Sequence, residues 1–298
     1  MGAWCDKWLA SYSGRATTVY QARSHVRLIR DEFGARRVAS ITPTDVKTWT
    51  VKLSATYAKS TVASLHARLG HILTDAVHEG IIPRSPVSRR TSPGRGEQIP
   101  YVATTAQVWA LHDALPEHLR GVVLLGAFAG LRRNEIVALR VEDVDFMRGV
   151  ITPAIQYGGL PLKTTVSKNP IPIPHELALD LGRMPAKFGC ATIVCNELGR
   201  PVTPTLVNVA FTEVAKTIEG LPMGFRIHDL RHYFASLLIA AGLDIKTVQA
   251  RLRHGSAKTT LDTYGHLWPD RDESSKHAVA AAYADRPTEN ADEKRTRA

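Results

Sequence analysis

The stretch RHGSAKTTLDTYGHLWPD, residues 253–270, sets Tyr264 between His254 and His266 in a run of hydroxyl and basic side chains that a proline closes. A phenol with a reference pKa of about 10 is a poor nucleophile unless its surroundings activate it and stabilise the charge that develops. Taken alone, a tyrosine near a helix end packs its ring and hydrogen-bonds its hydroxyl to whatever lies close. A chemical role for Tyr264 therefore requires cationic and proton-transferring groups elsewhere in the chain.

Such groups occur in short motifs. In GLRRNEIVALRVEDVD, Gly130 and Leu131 precede Arg132, and Leu131, Ile136 and Leu139 are spaced to dock a helix that starts near Arg132. In HDLRHYFASLL, His228 and Arg231 stand three apart on one face of a first turn, where free backbone N–H groups and the helix dipole favour an anion. Arginine suits a phosphate there, because its planar fork holds two oxygens at once and stays ionised. Lys163, in LKTTVSKNPIPIP, places a flexible cationic tip in a strand-and-turn segment, with Lys168 as a competing lysine. Each of these residues by itself reads as an ordinary surface or ion-pair group. The weight lies in the ordered set.

The elements that must position this set are mostly helical. ITPTDVKTWTVKL opens with Thr42 as N-cap, Pro43 at the first helical position and Asp45 in the first turn. In STVASLHARLGHILTDAVHEG, Val62, Leu65, Leu69, Ile72, Leu73, Ala76 and Val77 recur at helical steps, leaving His66, Arg68 and His71 on the other face. Residues 1–87 thus read as a domain of short helices. SRRTSPGRGEQIP, residues 88–100, has no apolar period and reads as an extended linker.

Beyond it, Thr104 or Thr105 caps AQVWALHDAL, and GVVLLGAFAG is apolar enough to be a core helix. Gly, Pro, Thr and alternating Ile in GVITPAIQYGGLPLKTTVSKNPIPIPHE predict short strands with a turn. TPTLVNVAFTEVAKTI, IHDLRHYFASLLIAAG and DIKTVQARLRHG predict three further helices. The expected fold is mainly α with a small β-sheet, residues 101–270 forming a mixed α/β second domain. Residues 271–298 read as an alanine-rich segment and a polar, mobile tail.

Charge is unevenly placed over the 298 residues. Residues 1–100 hold 15 Lys+Arg against 7 Asp+Glu, a net +8 of the total +10, while the remaining 198 contribute +2. A basic module joined to a near-neutral one suits a polyanion, above all nucleic acid, since neutralising phosphates releases counterions. Cys5, Cys190 and Cys195 form neither a disulfide framework nor a paired metal spacing, which predicts a reducing cytoplasm and no structural metal. No apolar run approaches the ~18 residues of a membrane span, and the amino terminus lacks the order of a signal peptide.

The ordered set Arg132 in G-L-R-x-x-E, Lys163 in a hairpin, His228 and Arg231 in H-x-x-R, His254, and Tyr264 strongly resembles the tyrosine recombinase family, the phage integrase type of site-specific DNA recombinase. The resemblance covers nearly the whole chain. It implies a helical core-site-binding domain followed by a tyrosine-recombinase catalytic domain. It further implies that Tyr264 attacks a DNA phosphate to form a covalent 3′-phosphotyrosyl bond, with neither cofactor nor obligatory metal. Arg132 and Arg231 would clamp the phosphate oxygens, Lys163 would protonate the departing 5′ oxygen, His228 would exchange a proton with Tyr264, and His254 would bond the phosphate. Glu135 matches the family's acidic position and would orient its neighbours.

Two departures stand out. The family's Leu-Gly-His reads LRH, with Arg253 either adding a DNA contact or merely tolerated, and Lys163 is preferred to Lys168 because the family's lysine precedes the turn. His232 and His266 stand beside motif residues and read as structural or peripheral.

The likeness implies as partners double-stranded DNA core sites, three further copies of the chain in a tetramer on two duplexes, and a directionality factor, with no membrane. The segment after Tyr264, SSKHAVAAAYA, would dock on a neighbour, and the two domains would clamp a duplex with basic helices in the major groove. Because WCDKWLASY already reads as the first core-binding helix, the expectation is an arm-less phage integrase, or else a chain trimmed at its amino terminus, that acts in a bacterial cytoplasm. Rival readings are a relaxing topoisomerase of the same chemistry, a chromosome-dimer recombinase, and a DNA-binding regulator that keeps the fold without catalysis.

Overall fold

A computed structural model of the chain describes residues 1–94, 100–162, 164–268, 276–277 and 279–282. Its contacts divide it into two units, Met1–Gln98 and Ile99–Ala298. Lys163 and nearly all of residues 271–298 lie outside the described residues, as do 95–99 of the expected linker.

The first unit consists of α1 (Gly2–Ser11), α2 (Ala16–Phe33), α3 (Pro43–Ser54) and α4 (Lys59–His78). Helix α4, with 20 residues, runs the length of the periodic segment read from sequence, while α2, with 18, is longer than the short helices expected around it. The start of α3 is as expected, with Thr42 and Asp45 forming a reciprocal capping box ahead of Pro43. Trp4, Trp8, Phe33, Trp49, Leu65 and Ile72 fill the core. The indole of Trp4 donates to the Ile72 carbonyl at 2.9 Å and that of Trp8 to Asp75 Oδ2 at 2.6 Å, so both polar tips are satisfied inside.

Two details differ from the expectation. His66 is buried, not solvated, and its Nε2 lies 2.8 Å from Thr91 Oγ1. Arg89–Thr91 accordingly form a 3-10 turn with Thr91 buried, so this part of the 88–100 segment is folded back rather than extended. The hydroxyl that makes this possible is invisible to apolar periodicity.

In the second unit, α5 (Thr105–Ala114) and the wholly apolar α6 (Gly121–Phe128) lead into a one-turn helix, α7 (Arg133–Ile136). Thr104, not Thr105, is the α5 cap, paired with Gln107. Five two-residue strands follow: β1 (Val144–Asp145), β2 (Val150–Ile151), β3 (Ile155–Gln156), β4 (Leu160–Pro161) and β5 (Ile171–Pro172). They make two antiparallel sheets instead of one, ordered β1-β2-β5 and β3-β4. The β3–β4 hairpin turns on Gly158 and Gly159, with φ of 84° and 68°. It docks on the α7 segment through the Tyr157 N–H, which donates to the Asn134 carbonyl at 2.8 Å.

Helices α8 (His175–Phe188), α9 (Pro204–Ala215), α10 (Ile227–Ala240), α11 (Ile245–Leu252) and α12 (Ala257–Tyr264) follow. Helix α10 packs along α6 in the main core, where Leu230 and Tyr233 join Leu111, Leu124 and Phe211. Its other side helps form a smaller core of Phe234, Ile239, Val248, Leu252 and Tyr264. Thus α10 carries side chains into both cores. Among the described residues no helix is long and apolar enough to cross a membrane.

Candidate active site

Arg132 is the N-cap of α7, as its sequence position predicts. Its backbone N–H and Nη1 both donate to the Glu135 carboxylate at 3.0 Å, and Nη2 donates to the Arg253 carbonyl at 3.3 Å. The side chain nevertheless remains 35% exposed. Glu135 is buried and also receives Arg253 Nη2 at 2.6 Å. Burial pushes its carboxyl pKa up, but Arg253, Arg132 and their hydrogen bonds together outweigh burial and hold it below the usual carboxylate range.

Arg231 is 1% exposed, and its two terminal nitrogens donate to the carbonyls of Gly130 and Leu252. Gly130 can aim its carbonyl there because its φ is 62°, and a Cβ at this position would meet Phe234 Cδ1 at 2.4 Å. Burial first, then Arg132 and Arg253, pushes the Arg231 pKa down to about 9, which leaves it cationic at neutral pH.

Arg253, expected either to contact DNA or to be merely tolerated, is enclosed, with Nη1 donating to the Ser167 carbonyl at 2.8 Å and Nη2 to Glu135. Its backbone caps α11 in the left-handed region, φ 52°, which is why glycine is a natural occupant of such a position.

Tyr264, the last residue of α12, is 2% exposed, with its ring in the smaller core. Its hydroxyl lies 2.7 Å from His232 Nδ1. The sequence reading assigned the phenol to His228 and set His232 aside; the contact is made by His232, one helical turn further along the same face of α10. His228 stands edge-on to His232, ring centroids 5.2 Å apart. On the far side of His232, Asp229 Oδ1 is 3.8 Å from Nε2. Burial, partly opposed by Asp229 and reinforced by Arg231, lowers the His232 pKa. Burial also pushes the Tyr264 pKa up to about 12, against a lowering by Arg231.

His254 follows Arg253, and its Nδ1 lies 3.0 Å from Thr260 Oγ1 on α12. Burial, then Arg231 and Arg132, pushes its pKa down to about 3. The His228 pKa is pushed down to about 4, by burial first and then by His232 and Arg231, but the residue is exposed at the pocket, and solvent softens the effect. His266 is exposed on a 3-10 turn after α12.

A pocket of about 510 Å³ opens over these groups, lined among others by Arg132, Arg133, Thr164, Arg226, His228 and Arg253. Its wall is strongly cationic and holds one carboxylate, Glu135, that is already ion-paired. Arg231, His254 and Tyr264 do not line it. Leu162 and Thr164 border the pocket, whereas Lys163 itself is outside the described residues; Lys168 is exposed at the end of the 3-10 turn Thr165–Lys168. Arginines held by backbone carbonyls, beside neutral histidines and a phenol, can bind a phosphate diester and take a proton from an attacking hydroxyl.

Residues 96–271 match the sequence profile of the Phage integrase family. The chain belongs to that family. The recombinase is 27% identical to the tyrosine recombinase XerC of Roseiflexus castenholzii over 287 residues, which covers 92% of this chain and 89% of the relative. In fold it is similar to the Tn1549 transposon integrase solved with transposon right end DNA, with TM-score 0.79, 19% identity, and coverage of 94% and 98% of the two chains. It is also similar in fold to a lambda integrase from a tetramer bound to a Holliday junction, with TM-score 0.69, 19% identity and coverage of 86% and 77%. The activity is that of a site-specific tyrosine recombinase, an enzyme that cleaves DNA and transfers its strands.

Four residues stand at the site without being among its expected members. For His232 a signal existed, since it stands four residues from His228 on one face. For Arg253 the signal was the departure from glycine itself. Arg133 and Arg226 carry nothing in sequence that separates them from other surface arginines.

Proposed function

We propose that Tyr264 is the nucleophile of this recombinase and attacks a DNA phosphate held at the cationic pocket. The phenolic proton passes to His232 Nδ1, a bond forms between the tyrosine oxygen and phosphorus, and the bond from phosphorus to the 5′ oxygen breaks. Lys163 supplies the proton that the 5′ oxygen takes up. Arg132 and Arg231 stabilise the charge that develops on the phosphate oxygens, His228 and His254 bond the phosphate, and Glu135 holds Arg132. The reverse attack by a 5′ hydroxyl of a partner duplex rejoins the strands, and the phosphodiester energy is kept in the covalent link.

The observation that carries this reading is the 2.7 Å bond between the Tyr264 hydroxyl and His232. Because Tyr264 is 2% exposed, the arrangement is a resting one, and α12 must shift before the phenol meets DNA.

We further propose that the first unit binds core sites, that four protomers assemble on two duplexes, and that the reaction is integration or excision of a mobile or phage genome in a bacterial cytoplasm. The near-full-length match to a XerC supports chromosome-dimer resolution as the second reading.

The test uses a core site selected by the wild-type chain from a random duplex library and then nicked to trap the intermediate. Wild-type protein should become covalently attached, and Tyr264→Phe should bind the duplex equally well without attachment. Attachment by the Phe variant overturns the assignment of the nucleophile.

A further inference from the structure

We infer that Arg253 is a positioning residue of the cleavage reaction, which fixes Arg132, Arg231 and Glu135 in one arrangement through both its left-handed backbone and its buried guanidinium. The inference rests on the reading of this site as the DNA-cleaving centre.

Two features of one residue are involved. Arg253 is the one non-glycine among the described residues with a positive φ. An L side chain resists that conformation, so the turn persists because its surroundings hold it. The turn presents two consecutive carbonyls to two arginines: Leu252 O accepts from Arg231, and Arg253 O accepts from Arg132 at 3.3 Å.

The side chain adds what glycine would lack. Its Nη2 holds Glu135 at 2.6 Å, and Glu135 holds Arg132 through both the backbone N–H and Nη1. A closed circuit results, running from Arg132 to Glu135 to Arg253 and back through the Arg253 carbonyl. Nη1 extends the circuit to the Ser167 carbonyl at 2.8 Å, in the segment that follows the hairpin. With 1% exposure and both terminal nitrogens engaged, Arg253 acts on DNA through these neighbours and not by touching it.

The geometry also balances charge. Glu135 is faced by Arg132 at the start of α7, by Arg253 at the end of α11 and by Arg231 on α10. Two of these guanidiniums contact it directly, so Arg132 shares the carboxylate with Arg253 while its own side chain stays 35% exposed toward the pocket. Without Arg253, Arg132 would be the one guanidinium in direct contact with the carboxylate, which would regain its proton at a higher pH.

Arg253→Gly and Arg253→Lys, made in the full chain, test the inference on the selected and nicked core duplex. Arg253→Gly relieves the backbone but removes the guanidinium; the single-turnover rate of covalent attachment should fall about 100-fold while DNA affinity holds. The acid limb of its rate-against-pH profile should move upward. In Arg253→Lys a single ammonium cannot hold Glu135 and Ser167 as a fork does, so the rate should fall roughly 10-fold with a smaller pH displacement.

A wild-type rate in the Gly variant overturns the inference, as does a wild-type rate in the Lys variant should the Gly protein not fold. A slow Gly variant whose affinity and melting temperature fall in step, with the acid limb unmoved, reduces Arg253 to a merely structural residue and overturns it too. If wild-type protein forms no covalent adduct, the cleavage reading itself has failed, and that result is separate from all of these.

Discussion

His232 Nδ1 and the Tyr264 hydroxyl meet at 2.7 Å across 32 positions of sequence, and the tyrosine ring on the other side of that bond is packed among Phe234, Val248 and Leu252. One residue thus serves two contacts: the ring contributes to a small core, and the hydroxyl meets an imidazole.

That contact separates two histidines that the sequence leaves equivalent. His232→Gln should slow covalent attachment about 100-fold, in the range expected when a general base is lost. His228→Gln should slow it less at neutral pH, because the hydroxyl of Tyr264 is met by His232, while His228 lines the pocket. Single-turnover rates on the nicked duplex decide between them, and a larger loss from His228→Gln would return the proton-accepting role to His228.

Stability should depend on pH through the same cluster. The pKa values of His228 and His254 are lowered in the folded protein, to about 4 and about 3, so below pH 6.5 the unfolded chain binds protons that the folded one refuses. Stability is present above the ordinary histidine pKa and is lost as pH falls from about 6.5 toward 4. Melting temperature recorded across that window should decline, and His254→Gln should flatten the decline. A His254→Gln curve parallel to the wild type would show that His254 is not held neutral by the fold.

Gly130 should tolerate no side chain. Alanine there must adopt φ near 62° and bring its Cβ within 2.4 Å of Phe234 Cδ1. The cost, positive φ plus overpacking, is roughly 2–4 kcal/mol. Because the Gly130 carbonyl holds Arg231, attachment should drop as well as urea resistance. A Gly130→Ala protein with wild-type unfolding and wild-type attachment would contradict this geometry.

Much of the frame was legible in the chain. Thr42 with Pro43 and Asp45, and Thr203 with Pro204, predict their helices correctly, since caps are decided by residues within a few positions of each other, whereas the hairpin turn expected after Lys163 falls before it, at Gly158–Gly159. His66 was misplaced because the feature that buries it, the Thr91 hydroxyl, lies 25 residues away. Helix α12 was read only as a helix end near Tyr264, since its eight residues are largely polar and expose no clear apolar stripe.

What the sequence by itself determined is the set of functional groups and its order along the chain: a phenol, neutral-range histidines, arginines at helix starts, and a basic amino-terminal third. Which of these groups touch was decided by tertiary structure alone. Arg253 meets Glu135 across 118 positions, Arg231 meets the Leu252 carbonyl across 21, and His232 instead of His228 meets Tyr264. The physical reason is range. Helix periodicity places two histidines on one face, but only the packing of α10 against α11 and α12 selects which ring the hydroxyl reaches, and only a left-handed turn sends the Arg253 side chain inward.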